Sequence, residues 1–243
     1  MFESVKGKRV LITGASGGIG AEIARVFAEY GAVLGLHYHE NKPDVGNISG
    51  AELFQADLLD ASARKNIVKS AVEKLGGLDV LVNAAGAIYD HKHFSELDEK
   101  SFQDTFGINA EAPFFLMREA FSYMKEKGGR IINLSSVNVK YGGSAKSTHY
   151  VAAKSALETM TKTFSKAGAP HNILVNAVRC GYIDTPMRTK VAGYTEEDFK
   201  KRIDLIPLKR MGTPLDIARM VLFLAAETGD FITGEIFTVA GGD

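Results

Sequence analysis

The sequence is poor in the features that mark secreted, membrane or nucleic-acid-binding proteins. Among its 243 residues Cys180 is the single cysteine, which excludes an internal disulfide and favours a reducing compartment. The 29 Lys and Arg residues balance the 29 Asp and Glu residues, so no net charge attracts nucleic acid or an anionic membrane. No apolar run approaches the ~20 residues that span a bilayer, and a strand pattern begins too close to Met1 for a signal peptide. We expect a cytoplasmic protein.

The chain also lacks internal repeats, low-complexity tracts and flexible linkers, so one domain over residues 1–243 is expected. Strands are predicted at 8–13, 32–38, 52–56, 78–83, 130–134, 173–178 and 235–239. Helices are predicted at 18–30, 61–75, 101–127, 148–167 and 214–226. Residues 41–50, with a proline and two glycines, are predicted to form a loop. Apolar strands that alternate with amphipathic helices predict an α/β fold, a Rossmann-like doubly wound parallel sheet with helices on both faces.

A glycine-rich segment, TGASGGIG at 13–20, lies between the first predicted strand and the first predicted helix. Such glycines let the backbone turn tightly, approach a pyrophosphate and pack the helix against the strand. The helix N-terminus then presents N–H groups and its positive dipole end to the phosphates. Glycines also serve ordinary turns, but this position between strand and helix predicts a dinucleotide-binding loop.

A tyrosine and a lysine lie four residues apart in the stretch YVAAK, from Tyr150 to Lys154. On spacing alone, such residues are more often a solvated pair on one helix face than a reactive pair. Beside a nicotinamide cofactor the pair acquires a function, because hydride transfer to a ketone leaves negative charge on an oxygen that must be protonated. The Lys154 ammonium, one turn from Tyr150, is expected to lower the pKa of the phenol from ~10. Tyr150 would then donate a proton in reduction and accept one in oxidation.

Taken in order, the motifs of the chain resemble those of the short-chain dehydrogenase/reductase family over nearly its whole length. They are TGxxxGIG at 13–20, NAAG at 83–86, Asn109, the serines at 135–136, YxxxK at 150–154, VNAV at 175–178, GYIDT at 181–185, ITG at 232–234 and GGD at 241–243. Within the family, the pattern that includes IPLKRMGTP at 206–214 is most similar to the 3-oxoacyl-acyl-carrier-protein reductases.

The resemblance implies four catalytic residues. It implies that Ser136 donates a hydrogen bond to the substrate carbonyl oxygen and that Lys154, besides acting on Tyr150, binds the nicotinamide ribose. It further implies that Asn109 holds a water that relays protons to Lys154. The alternative interpretation makes Ser136 a cap of its strand and Asn109 a hydrogen-bonding residue within its helix. From Ser136 to Tyr150 the chain is one residue longer than is common in the family, and we place the insertion in the loop 138–147.

The resemblance also implies a set of cofactor-binding residues, among which Asp57 resembles the residue that caps the adenine. The set comprises Gly14, Ser16, Gly18, Ile19, Gly20, Tyr38, His39, Asp57, Leu58, Asn83, Ala84, Gly86, Tyr150, Lys154, Gly181, Ile183 and Thr185.

The end of the second strand bears on the choice of cofactor. Tyr38 stands where NAD-preferring relatives carry an aspartate, which favours NADP(H). Gly17 stands where many NADP-using relatives have Arg or Lys, although His39 or Lys42 could bind the phosphate instead. Because Glu40 could turn to the ribose, NAD(H) stays open as an alternative.

Residues 186–210 resemble the substrate lid of the family. The substrate is expected to be a small-molecule carbonyl or acyl thioester, with acyl carrier protein as a candidate partner. A carrier protein would need a basic patch, for which the candidates are Lys125, Lys127, Arg130 and His171. Reduction of a sugar, polyol or xenobiotic ketone is the alternative. A second alternative is a protein that senses nucleotides and catalyses no reaction, although such a protein would be expected to lose Tyr150 or Lys154.

Three further features of the sequence bear on assembly, metal binding and the thiol. The helices at 101–127 and 148–167 carry more apolar positions than one sheet face needs, and the resemblance implies that they pair between subunits of a homotetramer. The segment DHKH at 90–93 lacks a third ligand at recognisable spacing, so no metal site is expected. Cys180 replaces the proline usual in the family and is expected to be a small buried thiol.

Overall fold

The computed structural model describes residues 2–44, 46, 48, 50–186 and 195–243. Its strands are β1 Arg9–Ile12, β2 Val33–Tyr38, β3 Glu52–Gln55, β4 Val80–Asn83, β5 Gly129–Ser136, β6 Ile173–Cys180 and β7 Ile236–Val239. They form one seven-stranded parallel sheet in the order β3-β2-β1-β4-β5-β6-β7. The strand order reverses between β1 and β4, and ligands of such sheets bind at the carboxyl ends of the strands beside that reversal.

The α-helices of the described residues cover both faces of the sheet. They are α1 Gly18–Glu29, α2 Ala61–Leu75, α3 Glu99–Phe106, α4 Ala112–Met124, α5 Asn138–Tyr141, α6 Thr148–Gly168, α7 Glu196–Leu205 and α8 Pro214–Ala225. Alternate residues of β1 enter different cores: Val10 and Ile12 pack with α1 and α8, whereas Leu11 packs with α2, α4 and α6. This two-sided burial confirms the predicted doubly wound α/β fold. No helix in the described part of the chain is long and apolar enough to cross a membrane.

The helix predicted at 101–127 is not continuous. It begins as α3 at Glu99, widens into a π-helical turn over Gly107–Glu111, and resumes as α4. Asn109 lies in the middle of this turn and is fully buried. Single π-turns within α-helices often occur at functional sites, because the wider turn re-aims the side chains that it carries.

Two strands run further than predicted, and both extensions reach the site described below. β5 continues past residue 134 to Ser136, and β6 continues past residue 178 to Cys180, which pairs with Ser136 in register. In the predicted loop 41–50, the described residues form no helix or strand. Within the predicted lid at 186–210, α7 begins with a capping box between Thr195 and Asp198, while residues 187–194 lie outside the described residues.

Candidate active site

The loop between β1 and α1 makes backbone contacts that exclude side chains. Gly14 has a φ of +67°, and a Cβ there would lie 2.8 Å from Ala85 Cα. A Cβ at Gly20 would overlap the carbonyl oxygen of Gly14. Thr13 fastens this loop to the segment after β4, because its Oγ1 accepts from the N–H groups of Ala84 and Ala85 at 3.0 Å each. The glycines are therefore required by close packing at the sheet reversal.

The first turn of α1 is suited to an anion. Its N-cap residue Gly17 provides no side-chain hydrogen bond, and a Cβ there would meet no heavy atom within 4 Å. Ser16 and Gly17 are exposed. Uncapped N–H groups and the positive dipole end of a twelve-residue helix form a binding site for a phosphate. The loop therefore fits the pyrophosphate of a dinucleotide.

The residues predicted to hold the adenosine end lie after β2 and β3. Tyr38 is half-buried and His39 is exposed, with the His39 carbonyl accepting from Gln55 Nε2 at 3.0 Å. Asp57 is exposed, and its Oδ1 accepts from the N–H of Leu59 at 2.9 Å. Leu58 is a buried core residue. The carboxyl edges of β2 and β3 thus lie next to the glycine loop, on the same edge of the sheet.

Asn83 has a structural contact that the sequence did not indicate. Its side chain is 2 % exposed, and its Nδ2 donates to Asn133 Oδ1 at 2.8 Å, which joins β4 to β5 inside the sheet. The neighbouring residues Ala84 and Gly86 do line the cleft.

Ser136, Tyr150 and Lys154 meet in a cleft of about 620 Å³. Tyr150 and Lys154 lie one turn apart on α6, and β5 carries Ser136 to the same point. The Ser136 hydroxyl is hydrogen-bonded to Tyr150. Lys154 Nζ lies 5.7 Å from the centre of the Tyr150 ring and donates to the carbonyl of Leu134 at 2.8 Å. The three side chains predicted to act together are therefore brought together.

Asn109 approaches the same group from the π-turn. Its Nδ2 donates to the carbonyls of Ala87 at 2.5 Å and Thr105 at 2.8 Å. Its Oδ1 is buried and accepts no hydrogen bond from the described residues. A Cβ on Gly86 would lie 2.8 Å from Asn109 Oδ1 and 3.4 Å from Lys154 Nζ. The amide oxygen and the amine thus border the same small space beside Gly86.

Burial dominates the pKa values of this cluster. It raises the pKa of Tyr150 to about 12, with Cys180 adding to the rise and the hydrogen bond from Ser136 opposing it. It lowers the pKa of Lys154 to about 8 and raises the pKa of the Cys180 thiol to about 12. The sequence-based expectation that Lys154 lowers the pKa of Tyr150 is therefore wrong for this structure. The cost of desolvating a phenolate dominates, and Lys154 is not among the groups that shift this pKa.

The rest of the cleft includes both predicted and unexpected residues. Of the predicted cofactor residues, those that line it besides Tyr150 and Lys154 are Ile19, Ala84, Gly86, Gly181, Ile183 and Thr185. The predicted lid contributes Phe199, Arg202 and Leu205 from α7. No role in the site was predicted for Tyr141, Tyr182 or Asp243, which also line the cleft. Tyr141 lies within the segment 138–147 to which the insertion was assigned, Tyr182 within the GYIDT motif and Asp243 within the GGD motif.

Two basic residues, Arg202 and Lys140, contact Asp243 at the wall of the cleft. Arg202 forms an ion pair with Asp243, and its guanidinium lies 5.5 Å from the centre of the Tyr182 ring. Lys140 donates to the main-chain oxygen of Asp243 at 2.9 Å. Both cations are thus directed at Asp243, the last residue of the GGD motif at 241–243.

Side chains of the DHKH segment at 90–93 contact neighbouring residues of the chain. Asp90 pairs with Lys92 at 2.9 Å, and His93 Nδ1 lies 2.8 Å from Ser95 Oγ. His91 lines the cleft. Within the ranges that the structure describes, no three His, Cys, Asp or Glu side chains are grouped as a metal site.

The chain is similar in sequence to known reductases over nearly its whole length. A family model described as enoyl-(acyl carrier protein) reductase matches residues 14–243. The 3-oxoacyl-[acyl-carrier-protein] reductase of Thermotoga maritima is 35% identical over 246 residues, which cover 98% of each chain. The chain belongs to the short-chain dehydrogenase/reductase family, a family of oxidoreductases.

Solved structures of this family superpose closely on the chain. A blue fluorescent protein from a metagenomic library, in complex with NADPH, has a TM-score of 0.90 and 34% identity, and 98% of each chain is covered. A short chain dehydrogenase from Burkholderia cenocepacia J2315, in complex with NADP, has a TM-score of 0.89 and 30% identity, with 98% of each chain covered. The sheet order and helix placement are those of this short-chain dehydrogenase/reductase fold.

Proposed function

We propose that the protein is an NADP(H)-dependent oxidoreductase that reduces a ketone to a secondary alcohol, with Tyr150 as the proton donor. The observation that carries the proposal is the convergence of Ser136, Tyr150, Lys154 and Asn109 around Gly86, next to a glycine loop suited to a pyrophosphate. A nicotinamide cofactor bound along this loop would supply the hydride.

The protein side chains have distinct parts in this reaction. Ser136 Oγ accepts from the N–H of Asn138 at 3.3 Å, and its proton, which bonds to Tyr150 here, would be donated to the carbonyl oxygen of a bound substrate. Tyr150 transfers its proton to that oxygen as the carbonyl carbon is reduced. The ammonium of Lys154 stabilises the phenolate that remains. A water held by Asn109 Oδ1 returns a proton through Lys154, which is the role that the acceptor beside Gly86 supports.

The protonation state of Tyr150 fits the role of a proton donor. A phenol with a pKa of about 12 holds its proton at neutral pH and is ready to donate it. Oxidation of an alcohol would first require removal of this proton, at a cost that grows with each pH unit below the pKa. A protonated Tyr150 thus supports the proposed reduction of a ketone at neutral pH.

NADP(H) is proposed as the cofactor on two grounds. Tyr38, and not a carboxylate, ends β2, and both solved relatives described above contain NADP or NADPH. Gly17 leaves one phosphate ligand missing and Glu40 is close in sequence, so NAD(H) is the second candidate. Steady-state kinetics with NADPH and NADH in parallel test the choice, and comparable efficiency with NADH would contradict it.

The substrate half of the cleft supports an apolar carbonyl compound over a sugar or polyol. Tyr141, Tyr182, Phe199 and Leu205 all line it, and they offer more apolar surface than hydrogen-bonding groups. A 3-oxoacyl thioester is one such compound, in keeping with the named activity of the Thermotoga relative. An apolar xenobiotic ketone is another.

Docking of acyl carrier protein has less support. Arg130, one of the four candidates, is 8 % exposed and donates to Asp230 at 2.5 Å, so it does not form part of a free basic surface. Lys125 and Lys127 are exposed, and His171 packs near the Phe121 ring. We propose a carrier-linked thioester only as a candidate substrate, tested with acetoacetyl thioesters of coenzyme A and of the carrier protein.

We also propose that residues 1–243 fold as one domain, that 186–210 act as a lid, and that the protein is a cytoplasmic homotetramer. Three residues of α7 in the cleft wall support the lid. Size-exclusion chromatography with light scattering tests the tetramer, and a monomer would contradict it.

The deciding experiment compares the unmodified protein with Tyr150→Phe on a panel of carbonyl compounds. We expect the variant to bind NADPH normally and to lose reduction by ~10²–10⁴-fold, the usual contribution of a general acid. If the unmodified protein oxidises no NADPH or NADH across the panel, the enzyme proposal fails and the nucleotide-sensing alternative is favoured.

A further inference from the structure

His37 is a buried histidine on β2 that the proposed reaction does not use. It is 2 % exposed, and its ring lies between the glycine loop and the segment after β3. Its Nδ1 is 3.1 Å from the N–H of Gly14, and its Nε2 is 3.1 Å from the carbonyl oxygen of Ala56. Because an N–H only donates and a carbonyl only accepts, these partners assign a neutral ring with its proton on Nε2.

The main chain of β2 strengthens the same connection. The carbonyl of His37 accepts from the N–H of Ala15 at 2.8 Å, so two consecutive amides of the glycine loop bond to this one residue. On the other side, the N–H of Ala56 donates to the carbonyl of Tyr38 at 3.0 Å. The loop and the segment before Asp57 are thus held to each other through the end of β2.

The N–H of Gly14 finds its acceptor in a side chain. Gly14 lies just past β1, where the N–H of Thr13 still bonds to the carbonyl of Val82 at 3.0 Å. A half-buried N–H without an acceptor is costly, and a shift of Gly14 would move the amides that would face the phosphates of a bound dinucleotide. His37 Nδ1 supplies the acceptor in place of a strand.

We propose that His37 is a positioning residue for the cofactor: its imidazole orients the Gly14 amide and fixes the diphosphate-binding loop against the adenosine-binding edge of the sheet. The inference rests on the proposed binding of a dinucleotide at this loop. The inference adds His37 to that site. The His37 side chain would touch neither the phosphates nor the reacting atoms, and it would act through Gly14.

The protonation state of His37 follows from its surroundings. Burial lowers the pKa of His37 to about 4, while the Ala56 carbonyl raises it, the nearby His39 lowers it and Asp57 raises it. The ring is therefore neutral at pH 7. Below its pKa, Nδ1 would carry a proton and point an N–H at the N–H of Gly14. Cofactor binding is expected to weaken as the pH falls toward 4, to a degree that depends on His37.

The test compares three variants of His37 with one matched control. His37→Leu removes both ring contacts, His37→Asn keeps an acceptor near the position of Nδ1, and His37→Gln keeps a donor near Nε2. Leu34→Ala is the control, because Leu34 lies on the same strand and is equally buried, at 2 % exposure, in the apolar core. The measurements are the Kd for NADPH by fluorescence titration, the KM and kcat at saturating NADPH, and thermal unfolding.

We expect His37→Leu to raise the Kd and KM for NADPH about tenfold, in the range for one buried N–H left without an acceptor, with little change in kcat. His37→Asn should recover most of the affinity and lose the weakening near pH 4, and His37→Gln should not recover it. Leu34→Ala should lose stability with an unchanged Kd.

Three results would overturn the inference: wild-type affinity in His37→Leu, an equal rise of Kd in Leu34→Ala, or tighter binding by His37→Gln than by His37→Asn. The last comparison decides the matter if His37→Leu does not fold. Failure of the unmodified protein to bind either NADPH or NADH would instead overturn the proposed function, and this inference with it.

Discussion

The substitution Gly86→Ala tests the geometry at the centre of the site. The added methyl group would lie 2.8 Å from Asn109 Oδ1 and 3.4 Å from Lys154 Nζ. The second distance is tight but tolerable, whereas the first requires a movement. Asn109 cannot simply rotate away, because its Nδ2 is held by the carbonyls of Ala87 and Thr105.

The size of the effect follows from these contacts. Moving the Asn109 amide by a few tenths of an ångström strains two hydrogen bonds, each worth ~1 kcal/mol. We therefore expect the free energy of unfolding to fall by about 1 kcal/mol. For a chain of this length that lowers Tm by ~2–4 °C. A 1 Å misplacement at a catalytic centre costs ~10²-fold, so a shift of this smaller size should lower kcat by about tenfold.

The assay is a double-mutant cycle with Asn109→Ala, measured as kcat for NADPH-dependent ketone reduction. Asn109→Ala removes the atom that the new methyl group would contact, so Gly86→Ala should have almost no further effect in that background. Thr163→Ala is the control, since Thr163 is exposed on α6 and lies outside the cleft. Additive losses, or wild-type kcat in Gly86→Ala, would refute the reasoning.

Two more predictions concern the polar groups around the cleft. Thr13→Val leaves the N–H groups of Ala84 and Ala85 without their acceptor and should cost ~2–4 kcal/mol of unfolding free energy, measured in urea, whereas the exposed Thr159→Val should cost under ~0.5 kcal/mol. Because burial lowers the pKa of Lys154 to about 8, kcat/KM for reduction should fall as the pH rises through that value and the ammonium is lost. The Lys154→Arg variant stays charged, so its profile of kcat/KM against pH should lack this inflection even if its rate is lower. If the inflection is unchanged in the variant, the titrating group is a residue other than Lys154.

The parts of the fold that the sequence predicts well are those with local signals. The helix at 61–75 has the same bounds in the structure, where Asp60 accepts from the N–H groups of Ser62 and Ala63 and Gly76 ends it in the left-handed conformation. The loop at 13–20 is equally local, because its glycines are required between a strand and a helix that directly flank it.

The parts that the sequence does not predict depend on residues distant along the chain. The π-turn at Gly107–Glu111 interrupts an otherwise helical pattern, and Asn109 is bonded across it to Ala87 on another segment. Arg130 reads as a surface cation, yet its partner Asp230 is 100 positions away. His37 reads as one polar residue in an apolar strand, and only the fold places it against Gly14. These features need tertiary contacts that no local pattern encodes.

The Tyr150–Lys154 pair shows where spacing stops being informative. Four residues on a helix fix the relative position of the phenol and the amine, and the structure keeps that position. Their pKa values depend instead on the residues of other elements that surround them. One of these residues is Cys180 on β6, which pairs with Ser136 on β5. The surrounding residues desolvate both groups, which raises the pKa of Tyr150 and lowers the pKa of Lys154. The tyrosine therefore keeps its proton, whereas the lysine loses its proton more readily. An acid that stays protonated and an amine that titrates near neutrality are the pair that a reductase needs to donate a proton and then replace it.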